Sequence, residues 1–126
     1  MSWYNLLKIA YNNPELQNLS NALKLKYPGL ILNVWERHDG AIEIAQIVVP
    51  KDKRSQGIGS AVIKEIQEFA KVNGKPIVLS PSPESRKKKS LDNFYKNLGF
   101  VPNKGRNVDY TLTTPFAKTM YWKPKL

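Results

Sequence analysis

Lys51-Asp52-Lys53-Arg54-Ser55-Gln56-Gly57-Ile58-Gly59-Ser60 joins a stretch that reads as a strand to one that reads as a helix, with its glycines where the helix begins. Glycines at 57 and 59 let a ligand approach the backbone with no Cβ in the way. The first amides of a helix have no partner inside it and point at whatever lies there. The segment is built as an anion site, and a pyrophosphate suits it. A tight turn with a glycine-tolerant cap accounts for the same residues. Two better-known phosphate loops do not fit: Val62 takes the third-glycine place of the dinucleotide fingerprint, and the Lys-Ser/Thr of the nucleotide-triphosphate loop is absent.

Upstream, Leu30 to Glu36 reads as a strand, His38-Asp39-Gly40 as a hairpin turn, and Ala41 to Val49 as a second strand stopped by Pro50. In that second strand Ile42, Ile44 and Ala45, then Ile47, Val48 and Val49 do not alternate cleanly, which is what one extra residue in a bulged strand does to the pattern. Before these, Trp3, Leu6, Leu7, Ala10 and Tyr11 fall at helical spacing. After Asn13-Pro14, a cap and a first-turn proline, Leu16, Leu19 and Leu23 repeat that period until Tyr27-Pro28-Gly29. Downstream, Val62, Ile63, Ile66, Phe69 and Ala70 share one face of a helix over Ile58 to Val72, ended by Asn73-Gly74. A short strand from Pro76 to Leu79 follows. A helix carrying Leu91, Phe94, Tyr95 and Leu98 is capped by Gly99, Phe100-Val101 starts a strand, and Thr119 to Trp122 closes the sheet.

The chain of 126 residues is sized for one domain, 41% hydrophobic, and so able to offset the entropy of ordering. There is no cysteine and a single histidine, which excludes disulfides, thiolate sites and histidine clusters around zinc. No apolar run reaches membrane length and no signal peptide is evident, so a cytoplasmic location and no membrane partner are expected. The charge of +10 is unevenly placed: residues 1–50 hold four basic and four acidic residues, residues 51–126 hold sixteen and six. The basic part should meet something anionic, whether a polyphosphate cofactor, a nucleic acid or an acidic protein.

Arg54-Ser55-Gln56-Gly57-Ile58-Gly59 resembles the Arg/Gln-x-x-Gly-x-Gly/Ala signature of the GNAT acetyltransferases, and Phe94-Tyr95-Lys96-Asn97-Leu98-Gly99-Phe100 resembles their second block. The resemblance spans residues 30 to 123 and implies an α+β fold of α/β/α type. This is a mixed, mostly antiparallel central sheet flanked by helices, here with an N-terminal helical pair over 1–28, the whole of 1–126 forming one domain. It further implies an N-acetyltransferase that moves the acetyl group of acetyl-CoA directly to an amine. By the family pattern, Arg54, Ser55, Gln56, Gly57, Ile58, Gly59 and Ser60 hold the pyrophosphate, and Ile47, Val48 and Val49 line the pantetheine arm. The acetyl group then lies near the split between strands.

Glu43, fourteen residues before Gly57, resembles the catalytic glutamate of histone-type members and is the base candidate. An ordinary strand carboxylate is the alternative. Tyr95 resembles the tyrosine beside the CoA sulfur; a phenol of ordinary pKa about 10 suits proton donation to a thiolate, and a packing aromatic is the other reading. His38 has a pKa range suited to a base, yet a hairpin-tip histidine is more often simply solvated. Arg86-Lys87-Lys88-Lys89 precedes or opens a helix whose dipole disfavours cations, so something anionic should compensate; in the resembled fold this region faces the cofactor's phosphates, which makes the run, Lys88 and Lys89 included, together with Lys51 and Lys53, a candidate for the 3′-phosphate, with a solvated loop the alternative. The family often has an asparagine early in this helix, and Asn93 comes too late for that place.

The acceptor, a protein lysine, an N-terminus or a small amine, is not fixed by these residues. A short, unembellished chain is similar to stand-alone bacterial or phage-encoded members, including inhibitors that acetylate a lysine on a host nuclease. Two other classes stay open. One is a basic nucleic-acid-binding module using phosphate contacts and Trp3, Trp35 and Trp122 as stacking groups, although those tryptophans fall in elements that read as core. The other is a degenerate domain that binds acetyl-CoA without turnover.

Overall fold

Asn13 caps the helix that its sequence announces: its Oδ1 accepts from the N–H groups of Glu15 at 3.0 Å and Leu16 at 3.2 Å, with Pro14 at the first helical position. This is α1, Pro14–Lys26, closed by Lys24 and Lys26 in the last turn where the helix dipole favours cations. The structure is a computed structural model that describes residues 13–81, 88–113 and 119–125. The expected first member of the helical pair, residues 1–12, lies outside them.

β1 (Ile31–Glu36) alternates, with Leu32 and Val34 buried and Ile31, Asn33 and Trp35 exposed. It turns at Asp39-Gly40, where Asp39 Oδ1 accepts from the Ala41 N–H at 3.1 Å, into β2 (Ile42–Val48). The antiparallel register runs Asn33↔Gln46 and then Val34↔Ile44, so Ala45 is left without an opposite residue. This is the bulge that the broken alternation implies. Ile42 and Ile44 face the core before it and Ile47 and Val49 after it, a switch of phase that a single inserted residue produces.

α2 (Ile58–Asn73) buries Val62, Ile63, Ile66 and Ala70, each large side chain contributing about 1.5–3 kcal/mol relative to exposure. It ends in a Schellman motif: Gly74 has φ +64°, its N–H bonds Lys71 O at 3.2 Å, and the Lys75 N–H bonds Ala70 O at 2.9 Å. The remaining elements are β3 (Ile77–Leu79), α3 (Lys88–Asn97), β4 (Val101–Pro102) and β5 (Met120–Trp122). α3 closes the same way at Gly99, whose φ is +94° and where any Cβ would meet the Trp122 ring at 3.2 Å.

The five strands lie in the order β1-β2-β3-β5-β4, with β2–β3 the parallel pair and the others antiparallel, so the fold is the mixed α+β class expected. Side chains of all three helices join one cluster with Ile42, Ile44, Ile77, Leu79 and Met120. The opposite face carries a small second cluster of Ala41, Val78 and Leu112, with Tyr121 against it. Leu112 belongs to the 3₁₀ turn Tyr110–Leu112. On the β1–β2 half of that face Ile31 is 48% and Trp35 42% exposed, so Trp35 is not the core residue its strand suggested. Among the described residues no helix is long and apolar enough to cross a membrane.

Candidate active site

Pro50 ends β2 and opens a 3₁₀ turn, Lys51–Lys53, after which the chain must reverse into α2. Two cations hold this turn from within. Arg54 Nε donates to Val49 O at 3.1 Å, and Lys53 Nζ donates to Pro28 O at 2.9 Å, which ties the Lys53 ammonium to the α1–β1 connection. Ser55 at φ +68° and Gly57 at φ +77° then curl the backbone toward the helix start. No side chain caps α2, and the helical ladder begins at the Ala61 N–H on Gly57 O, so the amides of its first turn have neither a ladder nor a side-chain acceptor.

The two glycines serve different ends. A Cβ on Gly57 would meet nothing within 4 Å, so that position opens outward. On Gly59 it would lie 3.5 Å from Phe94 and 3.8 Å from Val49, so Gly59 brings the start of α2 close to both α3 and the end of β2. Gln67 Nε2 donating to Leu98 O at 2.7 Å fixes the two helices further along.

β2 and β3 pair through Ile42↔Ile77 to Ile44↔Leu79 and no further, and Pro81, without an N–H, follows two residues on. From the bulge to Val48, the β2 edge toward β3 has no strand partner among the described residues. Ile47 and Val49 send their side chains to the core, so what this edge offers is backbone. The uncapped helix start, the open edge and α3 converge here. These are features an acetyl-CoA molecule would need: amide donors for a pyrophosphate and free strand groups for the pantetheine amides.

Glu43 lies on β2 opposite Trp35 of β1 and Val78 of β3, on the face away from the helices. Burial pushes its carboxyl above the usual carboxylate range; the Arg37 guanidinium pulls it back and Asp39 pushes it up. Tyr95, on α3, is 6% exposed and makes edge-to-face contacts with Phe94 at 5.2 Å and Phe100 at 5.8 Å. Burial raises its phenol to about 12. That departs from the ordinary value on which an easy proton transfer rests: Tyr95 keeps its proton throughout the neutral range and is a hydrogen-bond donor first. Glu43 and Tyr95 thus lie on opposite faces of the sheet, Glu43 away from the helices and Tyr95 in the cluster the helices cover.

His38 is exposed at the hairpin tip, beside a shallow depression of about 320 Å³ also lined by Trp35, Glu36, Arg37 and Asp39. Lys88 and Lys89 open α3, whereas Arg86 and Lys87 lie outside the described residues. Arg37 did not stand out in the sequence. It donates to Thr113 O at 2.9 Å and Thr111 O at 3.3 Å and pairs with Asp39 at 3.0 Å; the first two acceptors lie more than seventy positions away, where no local pattern signals them.

A family model described as an acetyltransferase (GNAT) domain matches residues 27–102. Among solved structures, the chain is similar to the anti-CRISPR protein AcrVA5, with a TM-score of 0.56 and 25% identity, covering 75% of this chain and 90% of that one. A GNAT-family acetyltransferase from Staphylococcus aureus Mu50 aligns with a TM-score of 0.58 and 18% identity over 76% of this chain and 60% of that one. Ard1 from Thermoplasma volcanium aligns with a TM-score of 0.56 and 16% identity over 87% and 80%. The last two likenesses speak to the fold. No curated protein matches the chain.

Proposed function

Since the chain belongs to the GNAT acetyltransferase family, we propose that it transfers the acetyl group of acetyl-CoA to an amine by direct attack. The observation that carries this is the convergence of the uncapped α2 start at Gly57 with the β2 edge left open toward β3 beyond Ile44. In this reading the amides from Gly57 to Ser60 bind the pyrophosphate, which the helix dipole also favours. The backbone of Ile47, Val48 and Val49 aligns the pantetheine, and the thioester reaches the β2–β3 junction.

There Glu43 takes a proton from the incoming ammonium, and the amine nitrogen attacks the thioester carbon. The tetrahedral adduct loses its second N–H proton to solvent, and its collapse breaks the C–S bond and leaves a neutral amide and a thiolate. The raised Glu43 carboxyl is a better base than an exposed one, because its conjugate acid is less acidic. Tyr95 donates a hydrogen bond to the sulfur as charge develops. With its phenol near 12 and a thiol near 8.5, it stabilises the thiolate without surrendering its proton, and solvent supplies the proton the thiol finally carries. Arg54 and the lysines at 88 and 89 are assigned to the anionic end of the cofactor.

The acceptor is proposed to be a protein amine, because Ile31 and Trp35 stand exposed on the same face as Glu43, where a large acceptor would cover them. The test is a calorimetric titration with acetyl-CoA, followed by mass spectrometry for acetylated products. The acceptor panel holds free amines, lysine peptides and protein N-termini and, on the likeness to AcrVA5, components of CRISPR effector complexes. Absence of acetyl-CoA binding by folded protein overturns the reading, and binding with no product across the panel and no hydrolysis supports the degenerate alternative.

A further inference from the structure

Glu43 and its strand neighbours Trp35 and Val78 share a face that no described helix covers. That face is walled on one side by Leu112, which packs with Ala41 and Val78. The wall is a turn held at its start by Asp109, which caps Thr111 at 3.0 Å, takes the Leu112 N–H on its carbonyl at 3.1 Å, and is itself bonded to Asn103 and paired with Lys123 at 2.9 Å. What anchors its other end, at Thr111 and Thr113, is Arg37, at the turn of the hairpin that carries Glu43. One terminal nitrogen donates to Thr113 O, and the other is shared by Thr111 O and the Asp39 carboxylate. The planar guanidinium presents its donors from two terminal nitrogens in a fixed fork that reaches these three acceptors together, whereas the three donors of an ammonium radiate from a single nitrogen on a flexible stem.

We propose that Arg37 is a positioning residue of the transfer site, holding the 110–113 turn against the Glu43 face and supplying the cation that keeps the Glu43 carboxylate available as a base. The inference rests on the reading of Glu43 as that base. Of the groups around Glu43, Arg37 and Asp39 from the hairpin carry charge, while β1 presents Trp35, β3 Val78 and the turn Leu112, with the Tyr121 phenol of β5 beyond. Arg37 is therefore the cation there that opposes burial and Asp39 together.

The full chain carrying Arg37→Gln or Arg37→Lys is compared with wild type in three measurements. The Glu43 carboxyl is titrated by NMR on side-chain-labelled protein, with Glu43→Gln identifying its signal. Amide exchange is read at Leu112, and CoA release is followed against pH with a neutral peptide carrying one lysine. In Arg37→Gln the Glu43 titration and the acid limb of turnover both move to higher pH, and Leu112 exchanges roughly ten-fold faster, as loss of a charge-assisted anchor implies. In Arg37→Lys the titration returns toward wild type while Leu112 stays fast, because charge is restored and the fork is not. An unmoved Glu43 titration in Arg37→Gln, or unchanged Leu112 exchange in both variants, overturns the proposal; neither readout needs an acceptor. An acid limb lost in Glu43→Gln yet unmoved in Arg37→Gln overturns the role of Arg37 alone, and a limb that survives Glu43→Gln overturns the base reading beneath it.

Discussion

Gly57→Val, set against Gly74→Val, separates a glycine needed by the ligand from one needed only by the backbone. Both glycines have positive φ, +77° and +64°, and at neither would a Cβ meet an atom within 4 Å. The substitutions therefore share one structural cost, about 1–2 kcal/mol for holding a branched residue in the left-handed region, with no added clash. For a domain of this size each kcal/mol lowers Tm by roughly 3–6 °C, so both variants fold and melt somewhat early. They differ in what lies in front of them: Gly57 precedes the uncapped amides of α2, whereas Gly74 caps its far end. Acetyl-CoA at a hundred times its Kd stabilises the wild type by about 2.7 kcal/mol, a Tm rise of roughly 8–16 °C. If the side chain introduced at position 57 fills the pyrophosphate position and weakens binding by about a hundred-fold, the remaining gain at that concentration is only about 0.4 kcal/mol, near 1–2 °C. Differential scanning fluorimetry with and without acetyl-CoA reads this directly. The Gly74 variant should keep the wild-type ligand shift and the Gly57 variant should lose nearly all of it. Equal ligand shifts in the two variants would refute the assignment of the turn.

Tyr95→Phe should retain the ring contacts with Phe94 and Phe100 and the acetyl-CoA Kd while lowering kcat roughly 10²-fold, measured by CoA release at saturating cofactor; an unchanged kcat leaves the phenol a packing group. Glu43→Gln should remove the acid limb of kcat/KM. The raised carboxyl is ionised, and active as a base, only above its displaced pKa, so wild-type turnover falls as pH drops through that value. The same shift implies that ionised Glu43 costs stability. The contribution of the protonated form is complete below the unfolded-state pKa and disappears as pH rises through the folded one, so Glu43→Gln should melt later than wild type at pH 7, as scanning calorimetry would show. Replacing Arg86 to Lys89 with serine should weaken CoA more than dephospho-CoA if the run serves the 3′-phosphate. Equal losses, together with a salt dependence of duplex-DNA binding that flattens by about 0.9 for each phosphate no longer neutralised, would favour a nucleic-acid role.

The three described helices and the main hairpin were legible because each rests on local rules: period 3.6, Asn13-Pro14 at a start, Gly74 and Gly99 at stops, Asp39-Gly40 at a turn. The turn from β2 into α2 was legible for a related reason, since glycines at 57 and 59 leave a mark that only backbone geometry or close approach explains. The 103–113 segment was not. Its shape comes from Asn103 exchanging hydrogen bonds with Asp109, from Lys123 pairing with Asp109, and from Arg37, all partners fixed by the tertiary fold. Trp35 is hard to place for a comparable reason. An apolar residue on a strand indicates that one face is buried, but not which, and here the helices cover the side of Leu32 and Val34. The protonation of Glu43 and Tyr95 is likewise a property of what folds over them.

The bulge in β2 connects the legible part to the chemistry. Without Ala45, the core-facing residues Ile42, Ile44, Ile47 and Val49 would alternate strictly, so the hydrophobic core gives no reason for the extra residue. Its effects are at the edges of the strand. It breaks the ladder with β1 at Asn33 and Val34 and increases local twist, at the point where β2 and β3 cease to pair. A strand that parts from its neighbour there leaves backbone donors and acceptors uncovered next to Glu43 on one face and beneath the α2–α3 contact on the other. Such groups bond to water until a ligand with matching donors and acceptors takes its place. The strand carries an extra residue that packing does not need, and the edge left open beyond Ile44 leads to the turn into α2, where a Cβ on Gly57 would meet nothing within 4 Å. The simplest physical account of both is one extended, amide-bearing, anionic ligand laid along β2 and ending at α2.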